Sequence, residues 1–233
     1  MFATPMGRAA TGALAAAALL AASCAAEAAH GHRSAASQDA SVRERAHAAE
    51  ARTAREVVES LQSALLEAMR GGAELGYAGR LAVVTPAADR AHSAEALARL
   101  VLHSNWQPLT EDQRSRFVDA LSRLTASAYA ARFDSYDGQR FEVVQEREVR
   151  DGVALVRTRL HKADGGTVSL DYLLRRFESG WRIVNIIADG VSEVSVKRAE
   201  YDAIIAREGF DALLADIERQ IADYEAGRGD GDP

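Results

Sequence analysis

The stretch GWRIVNIIADGVS, Gly180 to Ser192, decides the fold. Read as a strand, it alternates Trp181, Ile183 and Ile187 on one side with Val184, Ile186 and Ala188 on the other, so neither side suits water. Both faces need cover. The cover is either helices on each side, or helices on one side and an apolar guest on the other.

Working back toward the N-terminus, turn signals at Asp151-Gly152, Asp164-Gly165-Gly166 and Glu178-Ser179-Gly180 mark out three more strands and predict a four-stranded antiparallel meander. A two-residue turn at Asp151-Gly152 sets Arg150 opposite Val153. Continued without interruption, that register pairs Glu142 with His161, Val144 with Arg159 and Glu146 with Arg157 on a wet face. It pairs Val143 with Leu160 and Gln145 with Thr158 on a dry one. A three-residue loop at Asp164 to Gly166 then adds Leu170, Tyr172 and Leu174 to the dry side and sets Asp171 opposite Arg159. Only the last strand is apolar on both faces, and the C-terminal helices are the expected cover for its back.

Helices flank the sheet. Val58, Leu61, Leu65 and Met69 form a stripe that Gly71 and Gly72 end, and a second helix is predicted from Pro86 to about His103. A third opens on the capping box of Thr110 and Gln113 and carries Phe117, Leu121, Leu124 and Ala128 on one face, with Tyr129 on its flank. The stretch DSYDG, Asp134 to Gly138, stops it. After the sheet come Tyr201, Ile204 and Ile205, a break at Gly209, and then Phe210, Leu213, Leu214, Ile217 and Ile221. The fold class is α+β: a curved four-stranded antiparallel sheet packed with N- and C-terminal helices.

Composition narrows the function. The chain has 233 residues and a net charge of −6 with scattered Lys and Arg, so no basic block is available to track nucleic acid. Arg8, the apolar run Ala9 to Ala22 and the triplet Ala26-Glu27-Ala28 read as a signal peptide over residues 1–28, too short to span a bilayer. Cleavage removes Arg8 and Glu27 together and leaves the net charge at −6. The expected organisation is this peptide, a disordered lead-in at 29–40, one domain over 41–225 and a disordered tail at 226–233. Cys24, the only cysteine, forms no internal disulfide. It lies either inside the discarded peptide or, as the alternative, at a lipoprotein anchor. His30 and His32 sit in the lead-in without a third ligand, and no metal site is expected.

Three stretches resemble a known family: GYAGR at Gly76 to Arg80, the segment Asn105 to Val143, and the segment from Gly180 into the C-terminal helices. They are similar to the toluene-tolerance, or MlaC, family of periplasmic lipid-binding proteins. The part from Tyr129 to Val143 is most like its hopanoid-associated HpnM branch. Where relatives often carry Phe-Asp, this chain has His92-Ser93, and His103 stands where a small residue is common.

The resemblance implies an apolar cavity that takes up acyl chains, a lipid as cargo, no catalysis and no cofactor. It also implies a periplasmic location and inner- and outer-membrane lipid-transport complexes as partners. Periodicity alone reads the dry sheet face as ordinary core. Under the resemblance that face becomes the lipid site: Phe117, Leu121, Leu124 and Tyr129 from the helix, and Phe141, Val143, Val156, Leu160, Leu170, Tyr172, Leu174, Val184 and Ile186 from the sheet.

Several polar groups carry two readings. Arg157, Arg159, Arg175, Arg176 and Arg182 either meet a phosphate at the cavity mouth or form a solvated face neutralised by Glu142, Glu146 and Asp171. Asn185 either bonds a neighbouring backbone or faces the ligand. His161, Asp171 and Tyr172 are the raw material for an NTF2-like small-molecule enzyme, the rival class, but the register separates them onto opposite faces. A docking module that carries nothing is the third class.

Overall fold

Helix α1, Ala54–Ala91, starts on a reciprocal cap that the stripe analysis did not include. The Glu56 amide donates to Thr53 Oγ1 at 3.2 Å, and the Thr53 amide donates to Glu56 Oε2 at 2.7 Å. The structure is a computed structural model that describes residues 52–229. The expected signal peptide, Cys24, His30 and His32, the lead-in, residues 41–51 and the end of the tail lie outside the described residues.

Val58, Leu61, Leu65 and Met69 are buried along one side of α1, as their spacing predicts. The backbone leaves helical geometry at Gly72, with φ of 41°, and at Gly76, with φ of 60°, conformations that only glycine adopts without strain. The helix then resumes and runs through Pro86 to Ala91. The kink is pinned by Arg80, whose Nε donates to the Ala130 carbonyl at 2.8 Å and whose Nη1 donates to the Gly72 carbonyl at 3.0 Å.

The expected helix from Pro86 to His103 is therefore corrected. Pro86 lies inside α1, and the true break is His92-Ser93, where both residues are extended and the Ser93 hydroxyl accepts from the Ala96 amide at 3.3 Å. Helix α2 is Ala94–Leu102, followed by a single 3-10 turn at His103–Trp106. Helix α3, Glu111–Arg132, begins on the predicted Thr110 and Gln113 capping box and stops before Asp134.

The sheet is an antiparallel meander of β1 (Arg140–Arg150), β2 (Val153–His161), β3 (Thr167–Phe177), β4 (Gly180–Ala188) and β5 (Val191–Ser192) in sequence order. The two-residue β5 is an addition to the four strands expected, made by a tight turn at Asp189 and Gly190, both at positive φ. Helices α4 (Glu193–Glu208) and α5 (Phe210–Glu225) follow, broken at Gly209 as the pattern requires.

Register departs from expectation in an instructive way. Arg150 pairs with Val153 as predicted, but bulges at Val149 and Val144 shift β1 by two residues, so that Glu142 faces Arg159 and Val143 faces Thr158. Two single-residue slips restore the original faces: Phe141 and Val143 stay on the dry side. Between the bulges the faces are exchanged, and Gln145 pairs with Arg157 instead of pointing inward. Asp171 likewise meets Arg157, not Arg159, at 3.2 Å.

The third irregularity lies in the opening stretch. Leu174 pairs with Ile183, but Leu173 pairs with Asn185, leaving Val184 as the extra residue. Ile183 and Ile186 therefore share the dry face, which strict alternation would have denied them. Trp181 belongs there too, packed in the sheet-side core.

The apolar residues form two cores. One joins α1 to the dry face of the sheet, through Val58, Leu61 and Leu65 against Val156, Leu174 and Ile183. The other joins α2, α3, α4 and α5 around Phe117, Tyr201, Leu213 and Ile217.

Candidate functional site

A cavity of about 350 Å³ lies where the two cores fail to meet. Its floor is the dry sheet face: Leu160 from β2, Val168, Leu170 and Tyr172 from β3, and Ile183, Ile186 and Ala188 from β4. Helix α3 gives the opposite wall through Leu121, Leu124 and Ala128, each about one turn from the next along a single face, with Tyr129 on the flank. Leu97 and Val101 of α2 close one end. Val194, Lys197 and Tyr201 of α4, with Gln220 and Tyr224 of α5, complete the enclosure.

The C-terminal helices thus lie on the cavity side of β4. The expectation that they cover its back is corrected, because the bulge at Val184 turns the strand's larger apolar groups to one face.

Polar groups in this wall are mostly tied up. Asn185 bonds the neighbouring backbone, one of its two readings: its Oδ1 accepts from the Val194 amide at 3.3 Å, and its Nδ2 donates to Ser192 Oγ at 3.0 Å, which holds the start of α4 on the sheet. Gln62 Nε2 donates to Thr158 Oγ1 at 3.1 Å beneath Tyr172, and burial pushes the Tyr172 phenol up to about 12 against the opposing effect of its bonds to that pair. His92 Nε2 and the Tyr129 hydroxyl are 2.9 Å apart. Burial drives the imidazole down to about 4, with Asp89 opposing, and drives the Tyr129 phenol upward. Both groups are neutral at ordinary pH, so this corner of the wall carries no charge.

Two permanent cations remain. Lys197 is bound to Glu200 at 3.0 Å, whereas Arg132 has no ion pair among the described residues, and its buried Nε has no hydrogen-bond partner there. The buried Tyr201 hydroxyl is also without one.

Of the thirteen residues proposed from the sequence, seven line the cavity: Leu121, Leu124, Tyr129, Leu160, Leu170, Tyr172 and Ile186. Six sit elsewhere. Phe117 lies in the helix-side core. Val156 and Leu174 are covered by α1 in the sheet-side core, with Phe141 and Val143 packed at its edge. Val184 is the bulge residue, buried outside the cavity wall.

The sequence reasoning missed Ile183, which it assigned to the wrong face, and the contributions of α4 and α5, which it placed behind the sheet. An amphipathic stripe shows that a helix packs, not on which side of a sheet it does so.

The rival acid-base groups do not assemble. His161 Nε2 meets Glu142 at 2.7 Å and Asp171 meets Arg157 on the outer face, while Tyr172 points into the fold. Among the described residues no cluster of three or more His, Cys, Asp or Glu is placed to hold a metal, and no helix is long and apolar enough to cross a membrane. Of the five strand arginines, Arg157 is neutralised by Asp171; Arg175, Arg176 and Arg182 have no ion pair among the described residues.

The chain is similar to the intermembrane phospholipid transport system binding protein MlaC of Haemophilus influenzae, 24% identical over 126 residues. That alignment covers 52% of this chain and 59% of the relative's length. Its backbone matches a solved phospholipid-binding protein from Ralstonia solanacearum, crystallised with a phospholipid, at a TM-score of 0.63. That match has 20% identity and covers 74% of this chain and 99% of the other, so the two share a fold. The family model for MlaC protein matches residues 59–219, and the chain belongs to the MlaC family.

Proposed function

We propose that this protein is a non-enzymatic periplasmic carrier that encloses the apolar chains of a membrane lipid and moves the lipid between membranes. The observation that carries this reading is the cavity. The protein's own side chains leave a hollow of about 350 Å³ between apolar walls, and those walls lack the contacts that an apolar guest would supply. A lipid has the complementary problem: each methylene exposed to water costs about 0.8 kcal/mol, or about 12 kcal/mol for a chain of roughly sixteen carbons. Guest and host relieve each other.

The relatives' names agree in class, one an intermembrane phospholipid transport protein and one a phospholipid-binding protein. The cargo is a phospholipid or, following the Tyr129 to Val143 resemblance, a hopanoid-type lipid. The partners are lipid-transport complexes of the two membranes.

The test is mass spectrometry of organic extracts from the purified protein. About one molar equivalent or more of long-chain lipid is expected, and its headgroup or ring system identifies the cargo. Protein that yields no lipid, and takes none up from vesicles, is not a carrier.

A further inference from the structure

We propose that Arg132 anchors the phosphate of the bound lipid and that an adjoining groove selects an amine-bearing headgroup. This rests on the carrier reading above. Beyond the cavity, sharing Arg132, Phe133 and Leu160 with it as a common wall, lies a second hollow of about 290 Å³. Phe133 and Leu160 are the buried part of this partition, and Arg132, half-buried, is its rim.

Arg132 is the only permanent cation lining the cavity that has no ion pair among the described residues, since Lys197 is held by Glu200. Its Nε is buried with no partner there, an arrangement costly for a guanidinium unless a ligand supplies an acceptor. A phosphodiester does so with two oxygens in the plane of the fork. A phosphate held at this rim has apolar wall on one side for the chains and the groove on the other for the remainder of the headgroup.

The groove has its own charge pattern. Lys162 is joined there by Asp134, Asp137 and Asp164, and none of these four forms an ion pair among the described residues. Asp164 Oδ1 accepts from the Gly166 amide at 2.8 Å, and the Asp137 amide donates to Gln139 Oε1 at 2.6 Å, so the loop orders these groups through the backbone and leaves the Asp137 carboxylate unused. Three carboxylates against two cations, Arg132 included, disfavour a headgroup with a net negative charge. They favour one that presents an ammonium beyond its phosphate. The chemistry is that of a zwitterionic phosphoethanolamine or phosphocholine lipid.

The experiment incubates the delipidated full chain with vesicles of equal parts phosphatidylethanolamine and phosphatidylglycerol, then extracts and quantifies the bound lipid. The wild type is expected to carry the amine lipid at severalfold above the vesicle ratio. Arg132→Gln is expected to lose about tenfold in total loading, and Arg132→Lys to recover part of it, with circular dichroism and melting confirming that both remain folded. The exposed pair Asp134→Asn and Asp137→Asn, combined, is expected to keep total loading and lose the headgroup preference, which a merely structural effect would not do.

The proposal is overturned if folded Arg132→Gln loads like wild type, or if the wild type mirrors the vesicle ratio while loading fully. Water-soluble glycerophosphoethanolamine that displaced lipid at equal concentration would make the groove a site for free solutes and would overturn it too. A wild type that takes up no lipid at all refutes the carrier reading itself.

Discussion

The two ends of one apolar sheet face are built from the same residue types and arrive at opposite results. Where β2 and β3 run under α1, Val156 and Leu174 are fully buried against Val58 and Leu61. Toward the start of β3 and the end of β4, Leu170, Ile186 and Ala188 face a hollow. The difference lies in what stands opposite. α1 lays Val58 and Leu61 directly on the sheet, while its later part packs on the end of α3. α3, α4 and α5 satisfy one another through Phe117, Tyr201 and Leu213, and so have no need to sink onto it. A gap between two self-sufficient cores is how a water-soluble chain keeps an unfilled apolar interior.

Shortening one side chain at each end tests whether the two halves differ in packing. Leu174→Ala, at 0% exposure in the packed half, is expected to lose about 3 kcal/mol of unfolding free energy, within the 2–5 kcal/mol span of buried Leu truncations. Ile186→Ala, on the hollow wall, enlarges a space that already exists and is expected to cost less than about 1 kcal/mol in delipidated protein. Urea denaturation of both variants decides it. Equal losses would mean that the hollow closes in solution and that the contrast between the two ends is false.

A second, comparable effect sits at the seam. His92 ends α1, lines the cavity and is neutral because burial lowers its pKa to about 4 from an ordinary 6.5. Between those values the unfolded chain binds a proton that the folded chain refuses. Stability is therefore complete above about pH 6.5, falls as the pH drops toward 4 and levels off below it, by about 3 kcal/mol in all for a shift of this size. His92→Phe removes the titrating group. The difference between wild type and His92→Phe, followed by urea denaturation from pH 7 to 4.5, is expected to shrink or reverse in favour of the variant as the pH falls. A constant difference would place His92 in contact with water and open the seam.

These contrasts also mark how far the sequence alone reaches. Capping signals and stripes located α3, the Gly209 break and the α+β class, because each rests on local backbone chemistry within one or two turns. The faces of Phe141 to Val143 in β1 survived despite a wrong register only because two bulges cancel, and the one at Val184 did not cancel, so Ile183 and Val184 exchanged roles. A bulge is set by the curvature the whole sheet must adopt, which no single strand encodes. The side of the sheet taken by α4 is likewise a tertiary choice: it is fixed by Asn185 reaching the Val194 amide, a contact visible only once β4 and α4 are adjacent.

The smallest expected effect separates stability from the hollow. α3 is shared by both regimes, since Phe117 near its start belongs to the helix-side core while Leu124, Ala128 and Tyr129 further on face the cavity. Thr110→Ala removes the hydroxyl that accepts from the Gln113 amide at 3.2 Å and is expected to cost about 1 kcal/mol, by fraying the turn farthest from Tyr129. Because Phe117 at 0% exposure lies between the frayed turn and the wall, the loss is expected to stop there and leave the extracted lipid per protein unchanged. Lipid loading that fell in step with stability would show instead that the hollow is held open by the cooperativity of the whole fold. The independence of the two cores would then fail, even with every buried contact in place.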